Sequence, residues 1–87
     1  MMEMRININW KGMTNMTLDK VTRGNKVRIT KINNKDIKTQ AIRIGLYEGA
    51  DFFCSERLAG GPIILQNRMQ EVAIGKRLAE GIEVEKI

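Results

Sequence analysis

The chain has 87 residues, 43% hydrophobic and 29% charged, which is typical of one small globular domain and excludes a disordered chain. One cysteine excludes an internal disulfide, and the absence of histidine removes the usual general base and the commonest metal ligand. No apolar run approaches the ~18 residues of a membrane span, and the start lacks the apolar stretch of a signal peptide. Composition therefore predicts a soluble, cytoplasmic binding or regulatory module and not an enzyme.

The net charge of +5 is concentrated in the first half of the chain. Residues 1–43 carry ten Lys and Arg against three Asp and Glu, whereas residues 44–87 carry five against seven. A basic half is typical of proteins that bind nucleic acid, an acidic protein face or anionic lipid. Because the charges are interleaved with acids, the pattern favours the ordinary solvated surface of a small domain.

Residues 1–15 are predicted to be an N-terminal leader. Its segment 5–10 alternates polar and apolar residues, so it either adds a strand to the sheet or is disordered in the monomer. A helical turn is predicted next at residues 17–21, where Thr17 can cap the start and Gly24 can stop the turn. Leu18 and Val21 are then expected to face inward together.

Residues 26–33 are predicted to form the first strand of the domain. Val27 and Ile29 share one face, but the next apolar residue, Ile32, is out of phase with them. The shift predicts a bulge or bend near Thr30, a device that small barrels use to close.

The clearest helical pattern covers residues 36–44, where apolar residues recur at i, i+4 and i+7. Asp36 can cap the start of this helix. Gly45 can take the left-handed conformation after its end, and Leu46 can make the hydrophobic contact that closes such a motif. A turn follows at residues 46–49.

The second long strand is predicted at residues 51–58. Phe52, Cys54 and Leu58 are expected on its inner face, and Phe53 on its outer face. The remaining predicted elements are short: a loop at 60–62, strands at 63–66 and 70–74, a turn at 67–69, a helical turn at 75–80 and a strand at 82–87.

These elements amount to about five short strands, one short α-helix and two helical turns. Short strands at close spacing with glycine turns favour a mostly β fold, a small antiparallel β-barrel. The predicted core comprises Val27, Ile29, Ile44, Leu46, Phe52, Ile74, Leu78 and Val84.

No constellation in the sequence predicts catalytic, cofactor-binding or metal-binding residues. The loop at 60–62 lacks the spacing of a phosphate-binding loop. Carboxylates at Glu83 and Glu85, or at Glu48 and Asp51, could hold a hard cation, but the former pair fits the outward side of a solvated strand edge better. We therefore expect no cofactor, and a transient divalent metal stays open.

Nucleic-acid binding by a small barrel is a second hypothesis. It requires basic residues interleaved with exposed aromatics. Trp10 beside Arg5 and Lys11, or Tyr47 near Arg43, could provide stacking sites. Only four aromatic residues are present, so nucleic acid is an unfavoured partner.

The order of several short motifs resembles the ferrous iron transport protein A family (FeoA-like). They are MTLDKV at 16–21, GNKVRI at 24–29, IGLYEG at 44–49, GPI at 61–63, VAIGKRLA at 72–79 and IEV at 82–84. The resemblance covers residues 16–87. Its nearest alternative is the related SH3-like domain at the C-terminus of some metal-dependent repressors. The chain departs from the family pattern in its longer leader and in a short helix that ends with Ile44.

The resemblance implies an SH3-like barrel at residues 16–87. It also implies an accessory role in ferrous iron uptake, through protein–protein interaction with ferrous iron transport protein B, a large membrane protein with a cytoplasmic G-protein domain. Docking, regulation of the GTPase and assembly of the transporter are all open modes of action. We expect a monomer or weak homodimer, cytoplasmic or held at the inner face of the membrane by its partner. A metal-responsive regulatory module is the alternative.

The predicted docking face combines helix 36–44 with the turn after it. Lys38 and Arg43 are basic and lie off the apolar stripe, whereas Leu46 and Tyr47 form an apolar, aromatic tip. Leu46 is expected to face inward, which leaves Tyr47 as the exposed anchor. Alternatively, Tyr47 only covers the end of the barrel.

A second predicted docking face lies on the outer side of strand 51–58. Phe53 and Arg57 share that side by alternation. This face is the expected interface if the helix and its turn do not bind the partner.

Overall fold

The computed structural model describes residues 15–68 and 70–87. The predicted strand at 5–10 and the Met69 position of the predicted turn lie outside the described residues. No helix in the described part of the chain is long and apolar enough to cross a membrane.

Six strands of the described chain form one antiparallel sheet in the order β1-β6-β2-β3-β4-β5. The elements are β1 (Asn15–Thr17), a 3-10 turn (Leu18–Lys20), β2 (Lys26–Ile32), α1 (Lys35–Arg43), β3 (Asp51–Arg57), β4 (Ile63–Gln66), β5 (Glu71–Ile74), α2 (Lys76–Glu80) and β6 (Ile82–Lys86). The predicted mostly β, SH3-like architecture is confirmed. The additional strand, β1, was missed because three residues are too few to show alternation, and it recruits Asn15 from the predicted leader.

The two N-terminal caps differ from the predictions. Helix α1 begins at Lys35, because the side chain of Asn34 accepts hydrogen bonds from the backbone N–H groups of Asp36 at 2.7 Å and Ile37 at 3.3 Å. Asn34, and not Asp36, is therefore the cap. Thr17 makes no side-chain capping bond to the 3-10 turn.

The C-terminal end of α1 follows the predicted motif. Gly45 has φ +92°, in the left-handed region that favours glycine. The N–H of Leu46 donates to the carbonyl of Ala41 at 2.8 Å, and the N–H of Gly45 donates to the carbonyl of Ile42 at 3.0 Å. This pair of bonds is a Schellman motif, and it directs the Leu46 side chain into the core.

The bulge predicted near Thr30 is confirmed. The pairing of β2 with β6 shifts register between Ile29 and Lys31, and the Thr30 hydroxyl donates to the carbonyl of Glu83 at 3.1 Å. The shift restores an inward direction to Ile32, which is only 5% exposed.

A second irregularity, in β3, was not predicted. The pairing of β3 with β4 shifts register between Cys54 and Glu56, and the strand ends at Arg57. Leu58 therefore begins the next turn, where its carbonyl accepts from Gly61, and its side chain is 51% exposed. The prediction that Leu58 faces inward is wrong.

The core lies on the inner face of the curved sheet and is capped by α1, α2 and the 3-10 turn. Most of the predicted core is buried: Val27, Ile29, Leu46, Phe52, Ile74 and Val84. Ile44 and Leu78 are only partly buried and pack against that cluster. In α2 the fully buried residue is Ala79, and Leu18 and Val21 face inward as expected.

Candidate docking groove

The structure places the predicted partner-binding residues in different surroundings. Lys38 and Arg43 are exposed on α1, and Leu46 is fully buried, so it offers no surface to a partner. Tyr47 is 59% exposed and Phe53 is 42% exposed. These two aromatic side chains, predicted as parts of separate faces, line one open groove of about 520 Å³.

We call this surface the Tyr47–Phe53 groove. Its lining consists of Lys26, Tyr47, Gly49, Ala50, Asp51, Phe52, Phe53, Gln66, Asn67 and Arg68. Neither Lys38, Arg43 nor Arg57 is part of this lining. The groove therefore joins the turn after α1 to the outer face of β3 and the turn after β4.

The first wall of the groove is a tight turn that is bonded to β2. The N–H of Ala50 donates to the carbonyl of Tyr47 at 3.0 Å, and Gly49 has φ +95°, as the third residue of a type II turn requires. Ile29 receives a bond from Gly49 at 2.7 Å and donates one to Ala50 at 2.9 Å. Tyr47 therefore projects from backbone that is fixed at both ends.

Glu48 strengthens the same wall. Its carboxylate accepts a hydrogen bond from the backbone N–H of Ile32 at 3.1 Å, just after the bulge in β2. The Glu48 carboxylate thus supplies an acceptor for the N–H of Ile32, which lies beyond the residues of β2 that pair with β3. It also engages one carboxylate of the Glu48 and Asp51 pair that the sequence offered as a cation site.

The second wall is the outer face of β3. Phe53 lies opposite Lys26 of β2 on one side and opposite Gln66 of β4 on the other. Gln66 in turn donates from Nε2 to the Glu71 carboxylate at 2.9 Å. Successive residues of a strand point to opposite faces, so Phe53 is exposed beside a lysine while its neighbour Phe52 is buried.

The acidic member of the lining, Asp51, is neutralised by a paired guanidinium. Arg28 approaches Asp51 with Nε–Oδ1 at 2.7 Å and Nη2–Oδ2 at 3.2 Å. The side-chain hydrogen bond with Arg28 lowers the pKa of Asp51 below its ordinary value of 3.8, and the charge of Lys26 lowers it further. The same bond raises the pKa of Arg28. Asp51 is therefore ionised, and its negative charge is balanced by the guanidinium of Arg28.

The third wall, the turn after β4, is tied to the end of α1. Asn67 accepts from the N–H of Gln70 at 3.1 Å and donates its own N–H to the Gln70 carbonyl at 2.9 Å. Gln70 also donates from Nε2 to the carbonyl of Gly45 at 3.4 Å. The backbone of Gly45 lies so close to this side chain that a Cβ there would collide with it.

Arg57 has a structural role at the far end of β3. Its Nη1 donates to the carbonyl of Asp19 and, at 3.0 Å, to the carbonyl of Val21. These bonds connect the 3-10 turn to the sheet. One nitrogen of the guanidinium is therefore already hydrogen-bonded within the protein.

Three charged residues of the groove were not predicted as partner-binding residues from the sequence: Lys26, Asp51 and Arg68. Alternation places Lys26 and Asp51 on outer faces, but their proximity to Phe53 depends on the pairing register of three strands. Arg68 lies in a turn, where no periodic pattern assigns a face.

Metal ligation has little support in the described part of the chain. No group of three or more His, Cys, Asp or Glu side chains converges among the residues described. Glu83 and Glu85 do not lie at a sheet edge as expected, because β6 is flanked by β1 and β2 and both residues are half-buried. Cys54 is buried, and burial raises the pKa of its thiol.

Comparison with solved structures identifies similar folds. A crystal structure of an iron uptake regulatory protein (FeoA) matches with a TM-score of 0.77 at 28% identity, covering 84% of this chain and 99% of that one. An FeoA-like protein from Clostridium acetobutylicum matches with a TM-score of 0.75 at 21% identity, covering 85% and 88%. A manganese-dependent transcriptional repressor has a TM-score of 0.75 at 17% identity, but only 42% of it is covered, which shows a shared fold alone.

Comparison with curated proteins finds no match. The family model of the FeoA domain, however, matches residues 16–86, the greater part of the chain. The matched range includes every wall of the Tyr47–Phe53 groove. The chain therefore belongs to the FeoA family, an accessory family of ferrous iron transport.

Proposed function

We propose that the protein is a cytoplasmic accessory component of ferrous iron uptake that binds ferrous iron transport protein B through the Tyr47–Phe53 groove. Membership of the FeoA family supports the role in iron uptake. The observation that carries the binding mode is the presence of two exposed aromatic side chains in one groove.

The exposure of these aromatics favours docking over a structural role. Tyr47, at 59% exposed, covers little of the barrel, and Phe53, at 42% exposed, keeps much of its ring in water. Exposed apolar surface gains free energy when a partner covers it. Aromatic residues are enriched in the cores of protein interfaces, and tyrosine is over-represented among the residues that dominate binding energy.

Binding through this groove requires neither catalysis nor a cofactor. The turn that carries Tyr47 is bonded to β2, and the strand that carries Phe53 is paired on both sides. A surface fixed in this way loses little conformational entropy on association. The accessory protein can then act by holding the cytoplasmic part of the transporter in one arrangement, at the inner face of the membrane.

A binding measurement with the G-protein domain of the transporter tests this proposal. We expect Tyr47→Ala and Phe53→Ala each to weaken binding by at least about tenfold, as truncation of an interface anchor does. Lys38→Ala is the matched control, because Lys38 is exposed on α1 and does not line the groove. Circular dichroism of each variant checks that the fold is retained.

The result that would contradict the proposal is equally specific. If both aromatic variants bind as well as the wild type while Arg43→Glu binds weakly, the interface lies on α1. If the wild type does not bind any soluble domain of the transporter, the assigned partner is wrong.

A further inference from the structure

The charges of the Tyr47–Phe53 groove do not cancel. Its carboxylate, Asp51, has both oxygens engaged by Arg28. Its two cations, Lys26 and Arg68, form no ion pair with any described carboxylate. The groove therefore presents uncompensated positive charge beside two aromatic rings.

The positive area is narrow. Glu71 lies beyond Gln66 on one side, and Glu85 lies opposite Arg28 on the other. A nucleic-acid backbone that crosses the sheet would approach one of these carboxylates within a few residues of the cations. The negative charge of these carboxylates would repel the phosphates of the backbone, which disfavours nucleic acid as the ligand. The distribution suits a short ligand with few negative charges.

We propose that the Tyr47–Phe53 groove binds an acidic peptide segment of the partner. A large apolar side chain of the segment packs on Tyr47 and Phe53, and carboxylates next to it interact with Lys26 and Arg68. This inference rests on the proposed function, since it specifies the chemistry of the partner segment.

Arg28 acts as a positioning residue for this recognition. It does not line the groove, but it compensates Asp51, which does. Without Arg28, the Asp51 carboxylate would repel an acidic ligand. The ion pair therefore makes the groove more positive, because it removes the opposing effect of the one carboxylate in the lining.

The direct test uses two peptides and the full 87-residue chain. The first is the acetylated, amidated pentapeptide Leu-Asp-Phe-Glu-Leu, and the second replaces its acids with Asn and Gln. Amide chemical shifts of the isotopically labelled protein report both the affinity and the location of binding. We expect the acidic peptide to bind roughly threefold to tenfold more tightly, the range for two exposed charge pairs, and to lose most of that advantage in high salt. Shift changes should centre on Phe53 and Lys26.

A variant cycle separates positioning from structure. Arg28→Gln should weaken binding of the acidic peptide and leave the neutral peptide unaffected. The double variant with Asp51→Asn removes both charges and should recover the affinity of the wild type. Lys38→Gln controls for loss of a remote positive charge. Equal binding of the acidic peptide by the wild type and Arg28→Gln would overturn the role of Arg28.

Three outcomes overturn the proposal as a whole: equal binding of both peptides, shift changes confined to α1, or tighter binding of hexathymidylate in the same groove. The G-protein domain of the transporter, measured against Lys26→Glu, distinguishes this inference from the proposed function. If that domain binds, Tyr47→Ala weakens the binding and Lys26→Glu has no effect, the proposed function stands and the acidic segment is wrong. If only the acidic peptide binds, the chemistry stands and the partner is wrong.

Discussion

Phe52 and Phe53 are neighbours on β3 with opposite surroundings. Phe52 is 2% exposed inside the barrel, whereas Phe53 is 42% exposed in the groove. The difference arises because successive side chains of a strand project to opposite faces of the sheet. One strand thus supplies the core with one face and a candidate partner with the other. Stability and recognition should therefore respond to different substitutions within the same seven residues.

The largest expected effect is the loss of the inner ring. Phe52→Ala should lower the free energy of unfolding by about 3–5 kcal/mol, because it leaves a cavity in a packed core. Phe53→Ala should lower it by less than about 1 kcal/mol, as for most surface changes, and should weaken partner binding instead. Urea unfolding followed by far-ultraviolet circular dichroism measures both. Similar losses of stability would remove the distinction between the two faces.

The second expected effect concerns two leucines, one in the 3-10 turn and one in α2, which both pack on the core. Leu18 is fully buried in the 3-10 turn, whereas Leu78 of α2 is partly buried. Leu18→Ala should cost about 2–5 kcal/mol, and Leu78→Ala roughly half as much, because less apolar surface returns to water and the site can collapse. The same denaturant titration compares them. An equal or greater cost at Leu78 would mean that α2 packs more tightly than its exposure indicates.

The two helices show which features of the fold can be predicted from sequence patterns. The end of α1 was predictable because a Schellman motif is local: its hydrogen bonds lie within residues 41–46, and Gly45 and Leu46 indicate it in the sequence. The inward side of α2 was not, because five residues do not complete two turns and cannot show helical periodicity. Ala79 is fully buried, whereas the predicted core residue Leu78 is only partly buried and packs against the core.

The candidate groove could be predicted only in part, because only some of its features are local in the sequence. Alternation alone placed Phe53 outward, and the turn after α1 identified Tyr47. That these two meet depends on β3 lying between β2 and β4, a non-local fact with no counterpart in a single segment. Lys26 and Arg68 were missed for the same reason.

An intermediate effect is expected at Gly45, where the core and the groove are joined. Gly45→Ala should destabilise the fold by about 1–2 kcal/mol, because φ +92° is unfavourable for a residue with a Cβ. The added Cβ would also displace Gln70 from the end of α1. Gly24→Ala is the matched control, since it has the same φ but open space around it. If the two variants lose equal stability, the Gln70 contact contributes nothing.

The smallest expected effect is the pH dependence of the Arg28–Asp51 pair. The folded pKa of Asp51 lies below its ordinary value of 3.8, so its contribution is complete above that value and is lost as pH falls through the lowered pKa. The raised pKa of Arg28 keeps its charge constant throughout this range. The stability difference between wild type and Asp51→Asn should be constant from pH 7 to 5 and shrink in acid. A difference that grows below pH 3.8 would contradict this sign.

The position of β6 has a consequence for the time course of folding. This strand lies between β1 and β2, and it aligns Asn15 with Glu85 and Arg28 with the same glutamate. Pairing residues so distant along the chain closes a large loop, and the entropic cost of that closure precedes the stabilising contacts. Domains dominated by such non-local pairing fold in about milliseconds to seconds, far more slowly than helical bundles. On the ribosome, β2 can pair with β3 before β6 emerges, but β1 has no strand to pair with until then, so the sheet is completed only when β6 is available.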